Sequence, residues 1–262
     1  MAIYASQGDP RETMLLLWRK PADPEARSGP GPKPGLTIDT VVEAAIEIAD
    51  EKGMEALSMR AVGERLDRTA MALYTYIPNK SVLIDLMFDQ VQAEMPTGYD
   101  LGRGWRAAIG EWAGDLCDFY TRHPWVLQVS EARPVLGPNE NAVYETVVRI
   151  LNETGLEPRP ILHISGTLFH FIRGAAQTIA ETRSALEVTG VSDEEWWHVR
   201  SAVMHEVAPD FAERFPLITA FGEQGVFEPI ESSLSYFEAE AQDTFDNGLA
   251  LILDGIEVTR TR

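Results

Sequence analysis

LSMRAVGERLDRTAMALYTYIPNKSVLIDLM, residues Leu57–Met87, decides the fold of this chain. Ser58 stands just before an apolar-periodic run (Met59, Ala61, Val62, Leu66), where its hydroxyl can accept a first-turn amide and start a helix. No Glu follows three residues later, so the cap is a single hydrogen bond rather than a reciprocal box. Leu66-Asp67-Arg68 reads as a turn, and a further helix is expected over Thr69–Tyr76. Pro78-Asn79-Lys80-Ser81 breaks that helix and opens another, SVLIDLMFDQVQAEM, which ends before Pro96. Upstream, TIDTVVEAAIEIADEKG supplies Thr37 as N-cap, Asp39 in the first turn and Gly53 as the stop. Val41, Val42, Ala45, Ile46 and Ala49 recur at helical spacing and give that helix one buried face. Three short helices with tight turns between them, closed over Leu57, Val62, Leu66, Leu73 and Ile77, are the layout of a helix-turn-helix.

Such a unit works because the major groove admits one α-helix, whose N-terminal half then faces base edges. Arg60, near the start of one helix, is long enough to fork onto a guanine or clamp a phosphate. Thr69, Ala70 and Met71 begin the next helix, where small or apolar side chains suit close approach and contact with a thymine methyl. Tyr74 and Tyr76 can place hydroxyls on phosphates, and Lys80 beside a helix N-terminus makes a further anion site. The full set placed on the nucleic-acid side is Lys33, Ser58, Met59, Arg60, Arg68, Thr69, Ala70, Met71, Tyr74, Thr75, Tyr76 and Lys80.

Charge narrows the partner. The chain of 262 residues carries a formal net charge of −19, which argues against broad, non-specific binding to nucleic acid. Between Ser58 and Ser81, however, Arg60, Arg65, Arg68 and Lys80 outnumber Glu64 and Asp67. A locally basic tip on an acidic body suits a reader of specific duplex sequence; a mixed, solvated face would explain the same residues. The length and a hydrophobic content of 45% suffice for a sizeable core. No apolar run approaches the roughly 20 residues that span a bilayer, and MLLLW (Met14–Trp18) is too short for a secretory core. A cytoplasmic location without membrane attachment is therefore expected. One cysteine, Cys117, excludes an internal disulfide and a Cys-based zinc site. It lies in an apolar helical pattern, as a buried thiol would.

The rest of the chain is helical in pattern. Residues 1–36, ending in the Pro/Gly stretch RSGPGPKPG, read as a mostly flexible arm with at most a short helix around Arg11–Arg19. Lys33 in that arm is a candidate phosphate contact or simply part of a tail. Amphipathic segments follow at Trp105–Pro124, Pro138–Gly155 and Pro158–Leu186. Another begins with Ser192 as cap and Asp193, Glu194 and Glu195 in its first turn, favourable at a positive helix end. The last, from Ser233, carries Phe237, Ala241, Phe245 and Leu249 in register. There is no internal repeat, strand-period run or glycine-rich phosphate loop. The fold class is all-α: an N-terminal three-helix helix-turn-helix domain (37–82) and a C-terminal helical domain (83–262).

Residues 37–90 resemble the DNA-binding domain of the TetR family of bacterial transcriptional regulators. The marks are a first helix ending at Glu51-Lys52-Gly53, then Leu57-Ser58-Met59-Arg60-Ala61-Val62, then Leu73-Tyr74-Thr75-Tyr76-Ile77, with Asn79-Lys80 before Leu83. One departure is Asp67, at the turn position where the family usually has glycine; Asp is among the residues that tolerate a left-handed backbone. The C-terminal part is similar, more loosely, to the tetracycline-repressor type of ligand domain. The resemblance implies a homodimer on a palindromic operator, paired through a four-helix bundle for which Ile161–Thr182 and Ser233–Glu257 are the candidate helices. It also implies a small-molecule effector, and the apolar excess points to a hydrophobic one. The effector would favour a state with the heads wrongly spaced for DNA. Candidate pocket residues are Trp112, Leu116, Tyr120, Tyr144, His163, Thr167, His170 and Phe171, each equally at home in plain core.

Two other readings stay open at this level. An enzyme lacks its usual signs: no nucleophile elbow, phosphate loop or HExxH is present. His163 and His170 lie seven apart, as do His198 and His205, rather than at the i, i+4 spacing of helical metal pairs, so neither a metal nor another cofactor is expected. The second alternative is a dimeric helical protein that acts through protein contacts without a specific operator.

Overall fold

The computed structural model of the protein describes residues 3–5, 7–20, 36–228 and 233–261. Its described residues form twelve α-helices and one pair of two-residue strands. By contacts the chain divides into two compact units, residues 1–173 with 256–262, and residues 174–255.

In the first unit, α2 (Ile38–Lys52) begins at Thr37, whose hydroxyl accepts the Thr40 amide while Thr40 closes back onto the Thr37 amide. It ends at Gly53, with φ +75°. Val41, Val42, Ala44, Ala45, Ile48 and Ala49 are buried; within this stripe Ala44 and Ile48 were not anticipated. The helix α3 (Met59–Arg65) is capped by Ser58 onto the Ala61 amide at 3.1 Å, the single bond expected. The turn that follows puts Asp67 in the left-handed region at φ +55°. Gly63 makes this turn possible by close approach: a Cβ there would lie 2.7 Å from the Arg68 carbonyl oxygen.

The helix α4 is shorter than the expected Thr69–Tyr76 helix. Only Ala70–Leu73 is α-helical, capped by Thr69, with a turn over residues 74–76. Pro78 has no N–H to give the Tyr74 carbonyl and pushes Ile77 out of the helical region, so the last turn is left incomplete, with Tyr76 and Ile77 both bonded to the Leu73 carbonyl. Asn79 then caps α5 (Lys80–Val91), accepting the Val82 amide at 2.9 Å. Val82–Asp89 and Val91 are all buried, so α5 is a central helix packed against α2 on one side and the body on another.

The body of this unit comprises α6 (Trp105–Arg122), α7 (Pro138–Asn152) and the start of α8 (Pro158–Thr189). Cys117 on α6 is buried, as expected. The N-terminus of α7 has no cap of its own at Gly137. Asp89 of α5 serves instead, accepting the amides of Asn139 and Glu140 at 2.9 and 3.0 Å and the Asn139 side chain at 3.0 Å. A Cβ at Gly137 would overlap that carboxylate.

The arm departs most from expectation. Its described part is folded rather than flexible: Ile3–Tyr4 (β1) pairs in parallel with Val129–Ser130 (β2), and Asp9 caps α1 (Pro10–Leu17), which packs on α5. Trp18 Nε1 donates to the Leu136 carbonyl at 3.0 Å, and Arg19 pairs with Asp39 on α2. Lys33 lies outside the described residues.

The second unit contains the end of α8, then α9 (Asp193–Val207), α10 (Phe211–Arg214), α11 (Pro216–Glu223) and most of α12 (Tyr236–Arg260). Ser192 caps α9 through the Glu195 amide at 3.2 Å. Trp196 and Trp197 pack on Tyr236 and Phe237, ring centroids 5.7–6.2 Å apart, and Asp193 accepts the Phe237 amide at 3.2 Å. This aromatic cluster joins α9 to α12.

Candidate nucleic-acid interface and ligand cavity

The helix-turn-helix presents one exposed face. Met71, Tyr74 and Tyr76 are 74%, 44% and 37% exposed, although apolar side chains of that size are ordinarily hidden. Thr75, Arg60, Arg68, Thr69 and Ser58 are exposed and Ala70 is half-buried. Met59 is the exception: at 5% exposure it belongs to the small core beneath α3, one helical step round from Arg60. Leu57, Val62, Leu73 and Ile77 form that core as expected, with Leu66 at its half-buried edge.

The basic tip is less basic than its composition. Arg65 is committed to α2, pairing with Glu47 at 3.0 Å and with Glu51. Lys80 Nζ donates to the Leu57 carbonyl at 2.6 Å and ties α5 to the start of α3. Arg60 pairs with Glu64 at 2.7 Å, both exposed, an arrangement that a phosphate can replace at little cost. Arg68 donates to the neighbouring Asp67 carbonyl and stays exposed. The hydroxyl oxygens of Ser58 and Thr69 accept the Ala61 and Ala72 amides as caps, which leaves each O–H to donate to a phosphate oxygen.

A cavity of about 440 Å³ opens in the same unit between α5, α6, α7, α8 and the loop 131–136. Four of the eight anticipated pocket residues line it: Leu116, Tyr120, Tyr144 and His170. Trp112 does not. It is fully buried, its ring edge-on to Phe169 at 5.3 Å, with no acceptor for its indole N–H among the described residues. His163, Thr167 and Phe171 do not line it either. On α8 the cavity face is Gly166, Phe169 and His170; steps of about 100° per residue carry Thr167 and Phe171 away from it, and His163 lies one turn beyond its end. His163 and Thr167 are exposed.

Sequence reasoning missed the loop and the linker helix. Phe88 and Gln92 come from α5 and its following turn, and Glu131, Pro134 and Leu136 from the loop. Leu136 has φ +62°, an unusual backbone for leucine that its sequence neighbours do not announce. Tyr120 donates to Glu131 at 3.0 Å, and Arg173 holds the same carboxylate at 2.7 Å. Burial pushes the Tyr120 hydroxyl well above the usual phenol range, so it remains a donor.

Below the cavity wall, α6 ends in a polar clasp onto the head. His123 is 5% exposed. Its Nδ1 lies 2.8 Å from Asp50 of α2, and its Nε2 lies 3.1 Å from Glu94. Trp125 Nε1 donates to the same Asp50 oxygen at 2.8 Å. Although burial opposes it, contact with the two carboxylates raises the imidazole above its ordinary pKa.

Residues 41–87 match the model of "Bacterial regulatory proteins, tetR family", and residues 98–260 match "Tetracyclin repressor-like, C-terminal domain". The chain is 37% identical over 255 residues to the HTH-type transcriptional repressor DrrR1 of Streptomyces coeruleorubidus, covering 97% of this chain and 88% of the relative. It is 24% identical to the tetracycline repressor protein class D of Escherichia coli, over 78% of this chain and 90% of that one. Among solved structures, ActR of Streptomyces coelicolor in complex with actinorhodin superposes with a TM-score of 0.68 at 24% identity, over 87% of this chain and all of that one.

Proposed function

The chain belongs to the TetR family of bacterial regulatory proteins, and from that premise we propose that it is a transcriptional repressor released from a palindromic operator by a small apolar effector. The domains are taken as 37–82 for the reading head and 83–262 for effector binding and pairing. The head inserts α4 into the major groove. Thr69, Ala70 and Met71 meet base edges, and Arg60, Arg68, Tyr74, Thr75 and Tyr76 meet bases or phosphates. Lys80 acts mainly by holding α5 against α3, with donors left for a phosphate.

One observation carries the reading: a single helix, α5, supplies both a wall of the cavity and the platform of the head. Phe88 lines the cavity, while α5 packs along α2 and carries Lys80 bonded to Leu57. A ligand that displaces Phe88 or Gln92 therefore tilts α5 and the head with it. That is the differential contact with two states that a switch requires. The likeness to a named repressor, and to a relative solved with a bound small molecule, fits this reading.

Two copies are needed to read a palindrome. The helices spanning 161–182 and 233–257 are the proposed pairing elements; Leu162 at 55% and Leu251 at 73% exposure on them are apolar surface a partner would cover. No helix among the described residues is long and apolar enough to cross a membrane; a reader of operator DNA would work in the cytoplasm, where we propose this chain acts.

The test is selection of bound duplexes from a random pool with the full chain at moderate salt. A palindrome with half-sites about one helical turn apart is the expected result. Random duplex bound as tightly as any selected sequence would overturn the reading, since the −19 charge leaves little non-specific attraction.

A further inference from the structure

The cavity has an uneven charge inventory. Glu131 and Glu140 line it together with His170, and among the described residues no lysine or arginine does. Glu131 is neutralised from behind by Arg173, which also donates to the carbonyls of Leu127 and Val129 at 2.6 and 2.8 Å. Glu140 has no such partner among the described residues. Its oxygens accept only the backbone amides of Val135 and Leu136, at 3.3 and 2.6 Å. Immediately behind it the Asp89 carboxylate accepts the Glu140 amide. Burial, together with the charges of Asp89 and Glu131, holds the Glu140 carboxyl above its usual range. The remaining walls mix the rings of Phe88, Phe119, Tyr120, Tyr144 and Phe169 with aliphatic side chains and the polar Gln92, Asn141 and His170; the rings of Tyr144 and Phe169 are stacked 17° from parallel, centroids 6.3 Å apart.

We propose that the cavity selects a planar aromatic ligand bearing a protonated amine, with the amine seated on Glu140 and the rings against Tyr144 and Phe169. The inference rests on the reading of this cavity as the effector site. A cation completes a carboxylate that otherwise has only amides, and each Glu140 oxygen keeps a lone pair for it. An anion of the same shape would bury its charge beside Glu140 with neither lysine nor arginine among the lining residues to pair it. A neutral ring system gains the aromatic contact alone. The proposal predicts an order of affinity set by charge at constant shape.

Three tricyclic probes test it: 9-(aminomethyl)anthracene (a protonated amine at neutral pH), acridone (neutral) and anthracene-9-carboxylate (anionic). Each is titrated by fluorescence against the full chain without DNA, in 0.5 M salt, where the screening length is about 4 Å and attraction to the acidic surface is suppressed. Cation binding at least about tenfold tighter than neutral, anion weakest, and displacement of the cation by acridone are expected. Glu140→Gln should remove most of the cation's advantage and leave acridone affinity within about twofold. Should that variant fold poorly by its melting curve, the ranking on the unaltered chain decides by itself. Equal affinity for cation and neutral probe, or tight anion binding, overturns the charge inference and leaves the effector site standing. Failure of all three to bind overturns both.

Discussion

Asp50→Asn isolates the clasp between α2 and the end of α6. Asparagine keeps the shape and an oxygen that can still accept the Trp125 N–H. It removes the charge that faces both His123 and Trp125, so the Trp125 bond becomes neutral at every pH and the imidazolium loses its anionic partner. A hydrogen bond to a charged group contributes about 1.5–3 kcal/mol against about 1 for a neutral one. Asp50 retains 29% side-chain exposure, which moves the expected loss to the lower part of the difference, about 1 kcal/mol. The pH dependence is more diagnostic than the size. His123 gains its raised pKa from Asp50 on α2 and from Glu94 in the turn after α5, with Arg122 beside Glu94 on α6. A histidine raised on folding contributes stability that is complete below its unfolded pKa, about 6.5, and is lost as pH rises through the folded value. Protonated imidazole donates from both nitrogens; neutral imidazole donates from one. The stability gap between the unaltered protein and Asp50→Asn should therefore be widest near pH 6 and narrow toward pH 9. Urea melts followed by tryptophan fluorescence at half-unit intervals would measure it. A gap that is constant across the range, or wider at pH 9, refutes the assignment of charge to this clasp.

Asp67→Val places a branched side chain at φ +55° and should lower stability by about 1–2 kcal/mol, whereas Asp67→Gly should melt at or above the unaltered protein in calorimetry. Trp112→Ala should destabilise by about 3–5 kcal/mol, because the ring is fully buried; a normal melt with only ligand response altered would contradict that placement. Gly137→Ala should lower the melting temperature and, by displacing Asp89, fray the start of α7, visible as faster amide exchange at Asn139 and Glu140. Arg60→Ala and Tyr74→Phe should each weaken operator binding several-fold with an unchanged melt, and Arg60→Ala should also flatten the salt dependence by about one ion if it meets a phosphate; unchanged binding in both would move the reading surface elsewhere.

The helices of the head were legible because each signal is local. Thr37, Ser58 and Asn79 lie within three residues of the amides they cap, and the core stripe repeats along one helix. The early end of α4 was legible too, had Pro78 been weighted above the aromatic run before it. The cavity was half legible. Leu116, Tyr120, Tyr144 and His170 were found because large polar-aromatic residues on helices attract attention. Trp112 and Thr167 show the limit, since which face of α6 or α8 looks into a void depends on how two helices cross. The loop residues Glu131 and Leu136 were invisible, because their place depends on contacts with Arg173 and Trp18 some 40 to 118 residues away. The folded arm was missed for the same reason: nothing near Ile3 indicates a partner strand at Val129.

That strand pair has a consequence for the order of events in synthesis. The head, residues 41–87, is built from neighbouring segments and can close while the rest of the chain is still being made. Ile3 and Tyr4 wait for Val129 and Ser130. At about 5–20 residues per second, some 125 residues of waiting amount to roughly 6 to 25 seconds. During that interval α1 can dock on α5 alone, and Trp18 has no Leu136 carbonyl to donate to. Contacts of such sequence separation are also the slowest to form in an isolated chain. Ile3 and Tyr4, made before the head, are thus among the last to settle, and they settle at the start of the loop that walls the cavity.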